Sequence, residues 1–208
     1  MTKIIAPITT GITVGQAGRI ADRFITLCRT AGLPYPTQII QDVLEQEGDE
    51  LAQEQFESLR KRVERRSKMI VRRVTVNRAR TPQQMLEATG RVQYVDPEVV
   101  GTMPGQTETT DEVEMYFFNE GRFLTIDEQE TVLATYGLVP DYYAQFQVNI
   151  DDETFADEHP NGMQWRDSKN RACCVAFRRY DGKRDVYCYR LDGDWRGHWW
   201  FAGRKSSK

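Results

Sequence analysis

The sequence predicts an α+β protein, in which an α-helical N-terminal part is followed by an α+β part that ends in an antiparallel β-meander. Two observations carry this prediction. Near the N-terminus, apolar residues recur at the spacing of one helical face. Toward the C-terminus they alternate with polar residues, and turn sequences rich in Asp, Asn and Gly separate the segments. We expect two parts, residues 1–80 and residues 81–208.

Three helices are predicted in the N-terminal part. The first covers residues 15–31, where a stripe of apolar side chains ends at a Gly-Leu-Pro sequence. The second begins at Thr37, a good N-cap, and ends at Gly48. The third covers about residues 50–66, with acids near its start and bases toward its end, as the helix dipole favours. Residues 1–14 are apolar and β-branched, which favours a short strand or an extended arm.

The segment from Arg60 to Arg80 contains ten basic residues and one acid, Glu64. The chain has 28 basic and 31 acidic residues, so the remainder holds 18 bases against 30 acids. Clustered cations release counterions from a nucleic-acid backbone, so the segment predicts phosphate contacts. The candidate contact residues are Arg62, Arg65, Arg66, Lys68, Arg72 and Arg73. The alternatives are a solvated helix face, a sheet edge protected by charge, and pairing with the acidic remainder.

Strands and short helices alternate through the middle of the chain. Residues 69–76 and 113–118 are rich in β-branched or aromatic residues and predict strands. Thr81 followed by Pro82 is a helix start, and Thr125 caps a second helix with acids in its first turn. A helix with three aromatic residues follows before the chain enters the meander.

The predicted meander lies within residues 163–203, which hold all four tryptophans and three of the four cysteines. Its first segment carries Trp165, and the others cover residues 172–180, 186–191 and 198–202. Asp-Gly and Asp-Gly-Asp sequences between these segments supply residues that tolerate the backbone of tight turns.

The aromatic residues of the meander have two interpretations. Tryptophan and tyrosine dominate interface hot spots, so an exposed set would form a platform for a partner protein, a base or a sugar. Residues of the same type also close small cores, which we favour for Trp165, Phe177 and Trp200. The candidate surface residues are Tyr187, Tyr189, Trp195 and Trp199. We expect a non-enzymatic protein that acts through this surface on another protein, with nucleic-acid binding by the basic segment as an alternative.

An acidic loop at residues 151–162 leads into the meander. Its possible metal ligands are Asp151, Asp152, Asp157, Glu158 and His159, because carboxylates and imidazole bind cations. A metal-dependent hydrolase is therefore a second alternative, although the spacing matches no EF-hand or zinc-protease pattern. We favour a structural loop in which Asn161-Gly162 forms a tight turn and the carboxylates bind nearby backbone amides.

Four sequence blocks occur in order from Thr81 onward: TPQQMLEATGRVQY, an aromatic strand followed by GRFLT, FADEHPNG followed by a tryptophan, and WWFAG. On these blocks, residues 81–204 resemble a group of uncharacterised hypothetical proteins of bacterial and phage genomes. The shared order indicates common ancestry. The resemblance implies no activity, and no functional residue is carried over from it.

The remaining features describe a globular chain without a predicted cofactor. No apolar run approaches the ~20 residues of a membrane helix, and the N-terminus lacks the apolar region of a secretory signal. We therefore expect a cytoplasmic protein with no membrane partner. No cysteines have CxxC spacing, and the adjacent Cys173 and Cys174 would leave a strand on opposite faces. Buried, reduced thiols are expected, with no metal site.

Overall fold

The structure is a computed structural model that describes residues 13–32 and 35–206. The chain divides into two compact units, Met1–Ser58 and Leu59–Lys208. Except for its last two residues, the extended segment predicted for residues 1–14 lies outside the described residues. Among the helices of the described residues, none combines the length and apolar character that crossing a membrane requires.

The N-terminal region contains two long helices. The first, α1 (Val14–Ala31), begins with a capping box in which Thr13 and Gln16 bond each other's backbone amides. The second, α2 (Thr37–Ser67), is continuous, so the predicted break at Gly48 is wrong. Gly inside a helix costs only about 1 kcal/mol relative to Ala. The surrounding Gln, Glu and Leu residues favour the helix, so continuing it is cheaper than exposing two new helix ends.

The second unit combines short helices with a single eight-stranded mixed sheet. Its strands are β1 (Met69–Asn77), β2 (Val92–Val95), β3 (Thr110–Phe118), β4 (Leu138–Val139), β5 (Asn161–Arg166), β6 (Ala172–Tyr180), β7 (Lys183–Arg190) and β8 (Trp200–Lys205). Its helices after α2 are α3 (Pro82–Ala88), α4 (Pro97–Val100), α5 (Ile126–Thr135), α6 (Tyr142–Asp151) and α7 (Phe155–Glu158). The α+β class and the helical N-terminal part are thus confirmed.

The strand order is β1-β3-β8-β5-β6-β7-β2, with β4 added to β8. The β5, β6 and β7 strands form an antiparallel meander as predicted. The fourth predicted segment does not extend it, because β8 lies on the other side of β5, parallel to it, and pairs antiparallel with β3. The connection between β7 and β8 is longer than a hairpin loop of 2–5 residues, which lets the chain return across the sheet.

The strand β1 pairs with β3 along its whole length, from Met69 opposite Phe118 to Asn77 opposite Thr110. The predicted boundary at residue 80 placed this strand in the N-terminal part. In the structure, β1 and β3 belong to the same compact unit, which begins at Leu59. The end of α2 and the start of the sheet are therefore one structural region, and the basic segment lies within it.

The sheet has a buried cluster on each face. The larger contains the α6 residue Phe146 with Ile70 of β1 and Phe177 of β6. The smaller contains Leu133 of α5 with Trp195 and other aromatic residues. Alternation along a strand explains the division, because successive side chains point to opposite faces. It places Cys173 in the larger cluster and Cys174 in the smaller one, as predicted.

Candidate functional site

The last turns of α2 carry an exposed group of five cations that we call the basic patch. Its members are Lys61, Arg62, Arg65, Arg66 and Lys68. Within residues 13–32 and 35–206, none of the five forms an ion pair. Lys61, Arg65 and Lys68 follow the i, i+4, i+7 spacing that puts side chains on one helical face. Five of the six residues predicted to contact phosphate are exposed, all except Arg72, and that they bind nucleic acid stays a prediction.

Lys68 ends α2 in a left-handed backbone conformation, with φ of 53°. Its amide donates a 3.2 Å hydrogen bond to the carbonyl oxygen of Glu64, which closes the last turn. Glycine is the usual residue at such a position because a Cβ is strained there. Lys68 shares a positive φ with Asn170 and Asp181, and of these three it is the one beside the cavity described below.

The strand half of the basic segment is engaged in ion pairs, so phosphate binding by Arg72 and Arg73 gains no support from the structure and stays a prediction. Arg72 donates a hydrogen bond to the carboxylate of Glu64, the only acid of the segment. Arg73 lies 2.7 Å from Glu114 on the neighbouring strand β3. Because successive residues of β1 point to opposite faces, the two arginines also do not share a surface.

Arg78, at the end of the same strand, is a structural cation. Its guanidinium group lies 2.7 Å from the carboxylates of both Asp111 and Asp141. The Asp141 side chain is only 3% exposed and also lies 3.1 Å from Arg204. The hydrogen bond from Arg78 to Asp141, partly offset by burial, raises the pKa of Arg78 above its ordinary value. Pairing with acids elsewhere in the chain, one of the predicted alternatives, therefore accounts for the strand half.

A cavity of about 420 Å³ opens beside the basic patch. It is lined by Lys61, Glu64, Arg65, Lys68, Asn119, Glu158, His159 and Trp200. Asn119 is fixed by hydrogen bonds from its side-chain nitrogen to the carbonyl oxygens of Gly197 and Trp199. The cavity therefore combines three cations with an aromatic wall. Sequence reasoning missed it, because its residues come from α2, from the turns after β3 and α7, and from β8.

Trp200 and His159 form the aromatic wall of the cavity. Their rings meet edge to face, with centroids 4.9 Å apart, and the Trp200 amide donates a 2.8 Å hydrogen bond to Pro160. Burial lowers the pKa of His159, so its imidazole is neutral near pH 7. Its Nδ1 atom is buried and has no hydrogen-bond partner within the described residues. A polar atom in this state can accept or donate a bond to a ligand.

The predicted aromatic surface of the meander is only partly exposed. Trp195 is 3% exposed and its Nε1 donates a 2.7 Å hydrogen bond to Gln164, so it belongs to the core rather than to a surface. Trp199 and Tyr187 are half-buried, and Tyr189 is exposed. Trp165 and Phe177 are buried as expected, whereas Trp200 is half-buried at the cavity.

The remaining tyrosines of this face contact one another and a neighbouring arginine. Tyr187 stacks on Tyr94 of β2 with ring centroids 5.1 Å apart. The Arg178 guanidinium carbon lies 4.6 Å from the centre of the Tyr187 ring and 4.8 Å from that of Tyr180. The rings of this face thus stack on one another and on the Arg178 guanidinium group, and the Tyr187 hydroxyl bonds Arg178 and Asp185. That it binds a partner protein stays a prediction.

The acidic loop is a structural element that includes the short helix α7. Asp157 lies 3.0 Å from Arg184 and 3.4 Å from Arg179, and Asp152 bonds the amide and hydroxyl of Thr154. In the described part of the chain, no group of three or more His, Cys, Asp or Glu side chains is placed to hold a metal ion. The geometry therefore adds no support for the hydrolase alternative.

The tight turn predicted at Asn161-Gly162 is wrong, because both residues begin β5. Gly162 has no positive φ. It is needed for space, since a Cβ atom there would lie 2.5 Å from the Trp195 ring. Asn161 is buried, and its side-chain oxygen accepts hydrogen bonds from Gln145 and Asn149 of α6. Asn161 therefore links the sheet to α6, and Gly162 allows the Trp195 indole to pack against β5.

No family model, curated protein or solved structure matches this chain. The resemblance of residues 81–204 to bacterial and phage proteins stays a prediction.

Proposed function

We propose that this protein binds nucleic acid through the phosphate backbone, with the basic patch as its contact surface. The observation that supports the proposal is the exposure of five cations over eight consecutive residues, none ion-paired within the described chain. By contrast, Arg72 and Arg73 of β1 and Arg78 directly after it each pair with a carboxylate. The patch cations lack this structural explanation.

The helix dipole does not account for the patch either. The C-terminal end of a helix carries about half a negative charge, and a cation there contributes roughly 0.3–1 kcal/mol. One or two cations compensate such a charge. The five cations of the patch exceed it severalfold and leave a net positive surface at the end of α2.

The dimensions of the patch suit a polyphosphate. Lys61 and Lys68 are seven residues apart, which is about 10 Å along a helix. Phosphates on one strand of B-DNA rise about 3.4 Å per nucleotide, so the patch contacts roughly three of them. Neutralising three phosphates gives a slope of log K against log salt of about −2 to −3. The surplus of acids elsewhere in the chain repels a polyanion and confines the contact to the patch.

Fluorescence anisotropy with labelled 20-nucleotide single-stranded DNA, single-stranded RNA and duplex DNA tests the proposal. We expect binding at 50 mM salt, with a binding constant that falls up to 200 mM salt with a slope of log K against log salt of about −2 to −3. A variant with Lys61, Arg62, Arg65 and Arg66 changed to Gln should lose binding and flatten the salt dependence. Gln has nearly the helix propensity of Lys and Arg, so the melting temperature should change little.

A matched control removes the same number of charges elsewhere. In it, four exposed cations outside the patch are changed to Gln: Arg73, Arg122, Lys169 and Lys183. It should bind as the unmodified protein does. Equal loss in both variants would show a dependence on net charge alone and would overturn the proposal. So would the absence of binding to all three nucleic acids at 50 mM salt, including the case in which the protein still binds heparin.

A further inference from the structure

The cavity beside the basic patch indicates which part of a nucleic acid would bind there, which the patch alone does not. Its volume of about 420 Å³ falls in the range of small-molecule sites, about 300–1,000 Å³. It is far too small for a duplex, whose bases are paired and stacked inside the helix. An unpaired nucleotide at the end of a strand is the part of a nucleic acid that fits such a space.

The charges around the cavity favour a phosphate group. Lys61, Arg65 and Lys68 contribute three positive charges to its lining. The carboxylate of Glu64 is bonded to Arg72. Glu158 remains as an opposing charge, but its side chain is 80% exposed, so water screens it. The lining is therefore net positive even though the cavity lies at the negative end of the α2 dipole.

Lys68 adds independent support, because its backbone conformation is strained. A glycine at this position would adopt the same φ of 53° without the strain that a Cβ causes. The lysine places an ammonium group at the junction of the helix, the sheet and the cavity. A strained residue that the fold does not need is a reason to look for a ligand contact.

The aromatic wall suits a base. Trp200 is half-buried, and the edge of the His159 ring holds it in place. Bases stack on tryptophan with about 1–3 kcal/mol per base and little sequence preference. His159 is further packed against Phe155, at 5.3 Å between ring centroids, so the wall is preformed.

We infer that the cavity binds the terminal nucleotide of a single strand, with a terminal monophosphate between Lys61, Arg65 and Lys68 and the base against Trp200. This inference rests on the proposed nucleic-acid binding, and it adds a preference for a phosphorylated strand end. A free nucleoside monophosphate has the same chemistry, so the experiment includes both sources.

The test compares three labelled 12-nucleotide single strands of one sequence, carrying a 5′-phosphate, a 3′-phosphate or hydroxyl groups at both ends. We expect one phosphorylated strand to bind at least tenfold more tightly than the hydroxyl strand, and unlabelled AMP to displace it. Lys68→Gly should remove this preference without lowering the melting temperature, because glycine relieves the backbone strain. Trp200→Phe, which keeps an aromatic ring, should retain most of the preference, and Trp200→Leu should lose it.

The possible results separate this inference from the proposed function. Equal binding of all three strands, with dependence on the basic patch, would overturn the terminal-nucleotide site and leave backbone binding intact. Binding of AMP without a preference for either strand end would also overturn the assignment to a strand terminus. A preference that survives in Lys68→Gly would exclude the proposed phosphate position. Absence of binding by every strand would overturn this inference, and the proposed function would fall with it only if duplex DNA and single-stranded RNA also failed to bind at 50 mM salt.

Discussion

The two halves of the basic segment have similar composition but different environments. On α2, Lys61, Arg65 and their neighbours are exposed and lack ion pairs within the described residues. On β1, Arg73 and Arg78 are paired with carboxylates at 2.7 Å. The helix half presents its charge to solvent, and the strand half uses its charge to hold the sheet together. The density of cations in a sequence therefore locates a basic segment, but it does not show which of those cations are free of ion pairs and can contact a ligand.

The difference has a simple structural cause. A strand in a sheet has neighbouring strands on which acids lie within reach, and β3 carries Asp111 and Glu114 beside β1. The end of α2 has no paired strand beside it. Of the two acids that line the cavity with its cations, Glu64 is bound to Arg72 and the Glu158 side chain is 80% exposed.

Arg78→Gln tests the structural role of the strand half, and we expect it to have the largest effect on the free energy of unfolding. It removes the buried partner of Asp141, whose carboxylate would keep only Arg204 and its cap bond to the Ala144 amide. Breaking a buried ion pair costs 3–5 kcal/mol, and the remaining partners bring our expectation to about 3 kcal/mol. Urea unfolding measures this loss in the free energy of unfolding. Nucleic-acid binding at a temperature where the variant is folded should be unchanged, and a folded variant that loses binding would contradict the assignment of Arg78 to structure.

A moderate effect is expected from Glu64→Gln, which tests whether a paired cation becomes available. The change removes the only acid of the basic segment and releases Arg72. We expect tighter binding of single-stranded DNA at low salt, with a salt slope steeper by about 0.7–0.9 for the added phosphate contact. The free energy of unfolding should fall by about 1 kcal/mol, because the Arg72 guanidinium group loses its ion pair with a carboxylate and can at most bond a neutral amide oxygen.

The matched control for this variant is Glu87→Gln, which removes one exposed acid from α3. Its salt slope should equal that of the unmodified protein. Equal tightening in the two variants would mean that net charge alone governs binding. Weaker binding by Glu64→Gln would show that the carboxylate positions the patch instead of competing for it.

The smallest effect is expected from Arg73→Gln. The hydrogen bond from Arg73 holds the pKa of Glu114 below its usual range, and a second bond from Tyr116 adds to the shift. A carboxyl with a lowered folded pKa contributes stability above its unfolded pKa, about 4.3, and loses it as the pH falls through the folded value. The side chains are exposed and water screens the pair, so the expected loss of stability at pH 7 is small.

The measurement for Arg73→Gln is an NMR titration of the Glu114 carboxyl, together with unfolding at pH 7 and pH 3. The pKa should rise toward its ordinary value, and the stability difference should shrink at pH 3. Nucleic-acid binding should not change. A loss of binding here as large as that of the patch variant would remove the distinction between the two halves of the segment.

The sequence predicted those elements whose signals are local. Thr81 and Thr125 each form a capping box with the residue three positions later, so the starts of α3 and α5 were readable from a few residues. The strand β6 covers the predicted residues 172–180 from end to end. Its alternation also assigned Cys173 and Cys174 to opposite faces. In each case, the information lies within one helical turn or one strand.

Only the tertiary structure decided those features that depend on contacts between residues far apart in the chain. The position of β8 beside β3 and β5, the burial of Trp195 and the close approach that requires Gly162 are set by packing between distant segments. The same holds for the candidate site. The sequence by itself identified a basic segment, whereas pairing across the sheet decided which of its cations remain exposed, and β8 placed Trp200 beside them. Charge is a property of a residue, but its availability depends on the partners that the fold brings within a few ångströms.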